Sequence, residues 1–539
     1  MGFCLLPLLL IFFIPFSSGV QLVPSDSISE VKGEAVVQWR RLTVEGPTSP
    51  SPVAENSSFI LAAQRTRRQD PLNSFEKYTG GWNISNKHYW ASVSYTAATL
   101  FVISAAWFVL FGLVLLFTCC YYCCCRRRNP SYSRVAYALS LVLLILFTLS
   151  AIVGCIVLYN GQGEFHDSTT KTLKYVVGQA NITVQNLRNF SDDLSAAKKI
   201  GVDQVFLPGN VLGQIDEVVT KVNSSANSLD SRTSDNSEKI KNLLDTVRLI
   251  LIIVSAVMLF LAFLGFLFSI FGLQFLVYLL VLVGWILVAG TFILCGVFLV
   301  LHNVVADTCV SMNEWVQHPS AHTALDDILP CVDVATANES LIRSRQVTHQ
   351  LVNIVNQVIS NVSNRNFPPG APLVYYNQSG PLLPTLCNPY NADATDHACR
   401  SGEVDFNNAT QVWKNYVCNA TTISGSEICT TVGRLTPTIN RQMTAAVTVS
   451  HGLHHYGPFL AQLEDCTFVR QTFSSISQNN CPGLRKYSRW VYIGLAMVST
   501  AVMLSLIFWV IYARERRHRK YSKEAMLRRQ QKQGVVGGM

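Results

Sequence analysis

The sequence predicts an all-α membrane protein: five transmembrane helices, with two helical, disulfide-bearing ectodomain loops forming an elongated bundle. Three observations carry this. Residues 249–301 contain no Asp, Glu, Lys, Arg or His. Three further apolar runs of span length lie at 98–118, 135–158 and 488–513. Between the spans, polar stretches hold N-x-S/T sequons and an even set of cysteines.

A bilayer core of about 30 Å takes about 20 apolar residues per helical crossing, so 249–301 is long enough to cross twice. Polar residues and Gly272 cluster at Ser269 to Gln274, which gives spans at 248–270 and 276–301 around a cytoplasmic turn at 271–275. Two large polar segments then emerge on the same side.

The chain begins with an apolar core and the small residues Ser17, Ser18 and Gly19, the pattern of a signal peptide over 1–19. Residues 20–97 are expected to be an exported N-terminal segment, mostly extended and poorly ordered, with a Pro-rich patch at Pro47 to Pro52. Its run Arg65-Thr66-Arg67-Arg68 is read as either a processing site or a solvated basic loop. Trp82, Tyr89, Trp90 and Tyr95 precede the first span as an aromatic belt. After that span, 119–134 forms a cytoplasmic Cys/Arg-rich turn.

The first outer loop, 159–247, carries apolar residues at steps of three and four, such as Leu173, Val177, Ala180 and Val184. That period is helical. Pro208 and Gly209 interrupt it, so the loop reads as a helical hairpin. The second outer loop, 302–487, contains a helical series at Val347, Leu351, Ile354, Val358 and Val362, a proline-rich middle, and a second helical section over 436–473. A basic cytoplasmic tail occupies 514–539.

Ten sequons, at Asn56, Asn83, Asn181, Asn189, Asn223, Asn338, Asn361, Asn377, Asn408 and Asn419, all fall in segments assigned outside. Eight of the sixteen cysteines lie in the second outer loop: Cys309, Cys331, Cys387, Cys399, Cys418, Cys429, Cys466 and Cys481. An even number in an oxidising compartment implies disulfides. Cys309 and Cys481 lie at similar heights beyond spans four and five, which pairs them. Cys387 with Cys399 and Cys418 with Cys429 would make local links.

The net charge of +9 is concentrated in juxtamembrane clusters, among them Arg126, Arg127 and Arg128 and the tail from Arg514. It marks the cytoplasmic side and requires no nucleic acid. No P-loop, G-x-S-x-G or H-E-x-x-H occurs, and no catalytic residue or cofactor site is expected. His451 and His455 share a helix face and are weak metal candidates, weighed against plain bundle packing; Gly452 should weaken that helix. No ionisable group lies at membrane depth, which argues against proton-coupled transport. Gly284, Gly290 and Gly296 are read as packing glycines. Cys119, Cys120, Cys123, Cys124 and Cys125 are candidates for S-acylation, with zinc binding or small apolar residues at an interface as alternatives.

This layout resembles the prominin family and is similar to the tweety family. Residues Arg67-Arg68-Gln69-Asp70-Pro71-Leu72 and Gly80-Gly81-Trp82-Asn83-Ile84-Ser85-Asn86-Lys87-His88-Tyr89-Trp90-Ala91-Ser92-Val93 resemble plant five-span membrane proteins of the prominin- and tweety-like kind. The architecture matches over nearly the whole mature chain; the motifs cover only the stretch before span one. The outer loops are shorter than in typical prominins, and no residue corresponds to a proposed tweety pore residue. The resemblance implies a non-enzymatic plasma-membrane protein that binds lipids, sterol or anionic, and organises membrane domains or curvature. A tweety-like anion channel or lipid-transfer protein is the alternative, and a cell-fusion or adhesion factor a weaker one. Membrane lipids and a second copy in a homo-oligomer are the expected partners.

Overall fold

The computed structural model describes residues 59–124, 134–199, 209–319, 321–325, 331–371, 374–423 and 425–536. The signal peptide, Asn56, Cys125 and the arginines at 126–128 lie outside the described residues. Helices dominate. In order they are α1 (Ala63–Thr66), α2 (Lys87–Tyr95), α3 (Ala98–Cys124), α4 (Arg134–Lys199), α5 (Gly209–Phe271), α6 (Gln274–Gln317), α7 (Val334–Val358), α8 (Phe406–Lys414), α9 (Pro437–Glu464), α10 (Thr467–Ser475) and α11 (Cys481–Val536). Among the described residues the strands are one antiparallel pair, β1 (Ala420–Ile423) and β2 (Ser426–Cys429).

Five of these helices, α3, α4, α5, α6 and α11, are long and apolar enough to cross a membrane. The turn at the middle of the 249–301 run is tight. α5 stops at Phe271, Gly272 takes φ +78°, and α6 starts at Gln274. A left-handed residue just past a helix end frees glycine to close the turn at no steric cost. Arg516 of α11 donates to the Ser269 carbonyl at 2.7 Å, filling one of the acceptors that the end of α5 leaves open.

α4 and α5 continue without a break from their apolar halves into polar sequence, as does α6 past Leu301. At 1.5 Å per residue α4 alone extends roughly 100 Å. α11 lies along α4 and α6, and α3 packs against α6. Close backbone approach brings α4 and α11 together: a Cβ on Gly494 would stand 2.8 Å from the Leu158 main chain. Gly284 and Gly296 face Leu506 and Phe101 as packing glycines do, whereas Gly290 faces open space.

The polar half has its own core, where Phe190 and Leu194 of α4 meet Val352 and Val355 of α7, Trp413 of α8 and Met443 and Val447 of α9. Its helices start on side-chain caps: Asp333, Asp405 and Thr436 accept from Thr336, Asn408 and Ile439 main-chain N–H groups, and Pro437 opens α9. Four disulfides brace it: Cys309–Cys481, Cys331–Cys466, Cys387–Cys399 and Cys418–Cys429.

Several expectations need correction. Residues 59–97 are folded rather than extended, with Leu61, Tyr78, Trp82, Tyr89 and Val93 buried. Trp82 and Tyr89 therefore face protein instead of forming part of an aromatic belt, while Trp90 and Tyr95 are exposed. The basic run is not a solvated loop, because Arg65 and Arg68 bind a buried carboxylate. The cysteine-rich stretch is helical as far as Cys124, since nothing before the arginines breaks the apolar helix. The basic tail likewise continues α11 to Val536.

Candidate functional site

Two features stand out: a collar that ties residues 59–97 to α6, and an apolar groove along α3. The collar runs antiparallel to α6. Ascending that helix, Asn303 donates to Thr96 Oγ1 at 2.9 Å, Asp307 receives Arg68 and Tyr89, Thr308 accepts from the Trp82 indole at 3.0 Å, and Glu314 accepts from the Ala62 N–H at 2.6 Å. Phe59 closes the series by stacking on His318, ring centres 4.3 Å apart.

Asp307 is the centre of the collar. Its side chain is fully buried, Arg68 reaches it with both guanidinium nitrogens at 2.7 and 2.8 Å, and the Tyr89 hydroxyl donates at 3.1 Å. Arg65 Nε lies 2.8 Å from Oδ1, adding charge. Taking a carboxylate out of water is costly unless its lone pairs are filled, and here both oxygens are. Burial, reinforced by the Asp307 charge, pushes the Tyr89 phenol well above its ordinary pKa, so it stays a donor. A second buried acid, Asp70, holds His88 Nδ1 at 2.6 Å and fixes the loop between α1 and α2. These contacts act as a clamp between residues 59–97 and α6.

The groove is shallow and open, with a volume of about 370 Å3, and is lined by Ile103, Ala106, Trp107, Leu110 and Phe111 of α3, with Val114 one turn on and Met503 of α11 opposite. It exists because α3 is held on one side only. There Ser104 Oγ donates to the Ala289 carbonyl at 2.8 Å, Trp107 Nε1 to the Trp285 carbonyl at 3.3 Å, and Trp285 Nε1 to the Phe108 carbonyl at 3.0 Å. The other faces of α3 expose Val102, Leu110, Leu116 and Phe117. Four hydroxyls in these helices turn to the main chain: those of Thr148, Ser255, Thr291 and Ser499 donate to carbonyls of their own helices.

Of the histidines of α9, His451 and His454 are half-buried and His455 is exposed. His451 and His455 stack with ring centres 5.6 Å apart, and His451 Nδ1 is 3.8 Å from Asp193 Oδ2 on α4. Gly452 supports this packing, since a Cβ there would come within 3.2 Å of Asp193 Cβ. His454 Nδ1 meets the Tyr390 hydroxyl at 2.8 Å, and burial lowers its pKa, helped by the neighbouring His451 and His455. Among the described residues no group of three or more His, Cys, Asp or Glu is placed to hold a metal. Cys120 is exposed, and Cys119, Cys123 and Cys124 lie on the same helix end, their side chains outside the described set. Of the sequon residues, Asn181, Asn189, Asn338, Asn361, Asn377, Asn408 and Asn419 are exposed, Asn83 and Asn223 half-buried.

Sequence reasoning passed over Asp307 and its partners. The available signal was the pair of acids, Asp307 and Glu314, on the helix continuing span four, together with arginines in a segment rich in Trp and Tyr.

The fold and these contacts define an all-α chain with five helices long and apolar enough to cross a membrane, collared by its own N-terminal segment. The chain matches no protein-family model, and no curated protein matches it.

Proposed function

We propose that this protein is a non-enzymatic plasma-membrane glycoprotein that binds lipids and organises membrane domains or curvature, with its N-terminus outside and its C-terminus in the cytoplasm. The observation that carries the reading is the α3 groove: at span depth, open sideways, and lined by carbon. Such a surface suits an acyl chain or sterol face and gives an ion nothing to coordinate. S-acylation at Cys119 to Cys125 and glycans on the exposed sequons belong to the same reading. The open side of the groove also favours a lipid-transfer variant of it, the alternative that the tweety resemblance implies.

The test is reconstitution of the pure protein in nanodiscs and planar bilayers at matched density. Retained lipid, identified by mass spectrometry and lost when Ala106→Phe fills the groove, is expected without current. Selective conductance that disappears on mutating Thr291 would overturn the reading in favour of a channel.

A further inference from the structure

A second lipid-facing feature lies where α11 leaves the disulfide-braced half. Cys481, the first residue of α11, is bonded to Cys309 of α6 with Cα atoms 5.9 Å apart, and Ser488 Oγ lies 2.9 Å from His302 Nδ1 of α6. These two ties fix the rotation of α11 about its axis. Ser488 is buried, so Arg485, Lys486 and Arg489 are carried on the outward side, where all three are exposed. The fifth apolar stretch thus opens on an arginine, Arg489, before Val491 enters the core.

The aromatic neighbours are placed to match. Tyr487 and Trp490 meet edge to face at 5.8 Å, and Lys486 Nζ lies 5.4 Å from the first ring and 5.2 Å from the second. Arg485 and Arg489 are close enough to act on the His302 ring together with Arg65. Of the acids on the neighbouring helices, Glu164 of α4 is exposed and forms no ion pair among the described residues, while two others are committed. Asp307 is filled by Arg65, Arg68 and Tyr89, and Asp167 of α4 holds Lys171 at 2.7 Å. Among the described residues no carboxylate forms an ion pair with Arg485, Lys486 or Arg489.

We infer that Arg485, Lys486 and Arg489, with Tyr487 and Trp490, form a binding site for the phosphate of an anionic phospholipid on the disulfide-bearing side of the membrane. Guanidinium and ammonium groups supply donors and charge for phosphate oxygens, and amphipathic rings settle at the level of the glycerol, where apolar surface gives way to polar. The inference rests on the lipid-binding reading above and adds the headgroup to it.

The experiment compares wild-type protein with the triple variant Arg485→Gln, Lys486→Gln, Arg489→Gln in nanodiscs of phosphatidylcholine containing a minor share of phosphatidylglycerol, with retained lipid measured by mass spectrometry. Peptide mapping of Cys309–Cys481 verifies that both fold. Wild type is expected to enrich phosphatidylglycerol about tenfold over the triple variant, with phosphatidylcholine retained equally. Equal enrichment in both proteins overturns the site. So does enrichment that vanishes only when Arg514, Arg516, Arg517 and Arg519 are replaced, because the anionic lipid then sits at the opposite rim. Displacement of phosphatidylglycerol by inorganic phosphate overturns the lipid assignment. Retention of phosphatidylcholine with no anionic preference rejects this site alone; retention of no lipid at all rejects the lipid-binding reading.

Discussion

Arg68 grips Asp307 through two parallel N–H···O bonds, at 2.7 and 2.8 Å, across more than two hundred residues of chain, where no solvent reaches the carboxylate. Removing one partner of such a pair leaves the other charge buried and alone, which costs about 3–5 kcal/mol. Asp307→Ala should therefore release residues 59–97. Limited proteolysis should open a new cut beside the exposed Arg67, and the midpoint of thermal unfolding should fall. Arg68→Lys, which loses the two-pronged geometry, should fall between wild type and Asp307→Ala. Unchanged protection at Arg67 would show that the collar is held by other contacts.

The Cys309–Cys481 bond closes a sequence separation of 172 residues. Cys331–Cys466 is nested inside it and short-circuits that loop to about 40 residues, so on a chain-entropy account the bond restricts the unfolded state by about 4 kcal/mol. The double variant Cys309→Ser, Cys481→Ser should lose more thermal stability than Cys387→Ser, Cys399→Ser, whose separation of 12 gives about 3 kcal/mol. Scanning fluorimetry of both variants decides it, and equal losses would count against the entropic account.

Stability should depend on pH through His454. Burial first, then the charges of His451 and His455, hold its pKa below the ordinary value. Folding therefore favours the neutral ring, and the unfolded chain binds more protons. The contribution is complete above about pH 6.5, the ordinary histidine value, and is lost as pH falls from there through the folded-state pKa. His454→Gln should flatten that slope in a series of unfolding midpoints; an unaltered slope would assign it to another group.

Trp107 and Trp285 each donate to the main chain of the other's helix, and this reciprocal tie holds α3 against α6. Trp285→Phe keeps most of the ring and removes one donor, leaving the Phe108 carbonyl without it. A loss of about 1 kcal/mol is expected. The sharper readout is crosslinking between cysteines placed on α3 and α6, which should slow if the tie positions the helix and stay constant if packing alone does.

Much of the architecture could be read from particular residues. The α5–α6 hairpin is legible because charge is absent over 249–301 and Gly272 sits in the middle. The Cys309–Cys481 pair is legible because both residues lie at matching heights on helices that leave the spans. The collar is not, because its order comes from partners far along the chain: Arg65, Trp82 and Tyr89 mean nothing locally until α6 presents Asp307 and Thr308. The groove escapes the sequence for a related reason. The apolar run of α3 looks the same on every side, and only the Trp107–Trp285 ties reveal which side is left open.

α4 passes from Arg134 to Lys199 without a hinge. A rod of roughly 100 Å converts angle into distance, so a tilt of about 3° at one end displaces the other by about 5 Å. Apolar helices answer changes in bilayer thickness by tilting. The far end, where Asp193 meets His451, would then move together with the core packed around Phe190 and Leu194, as one lever.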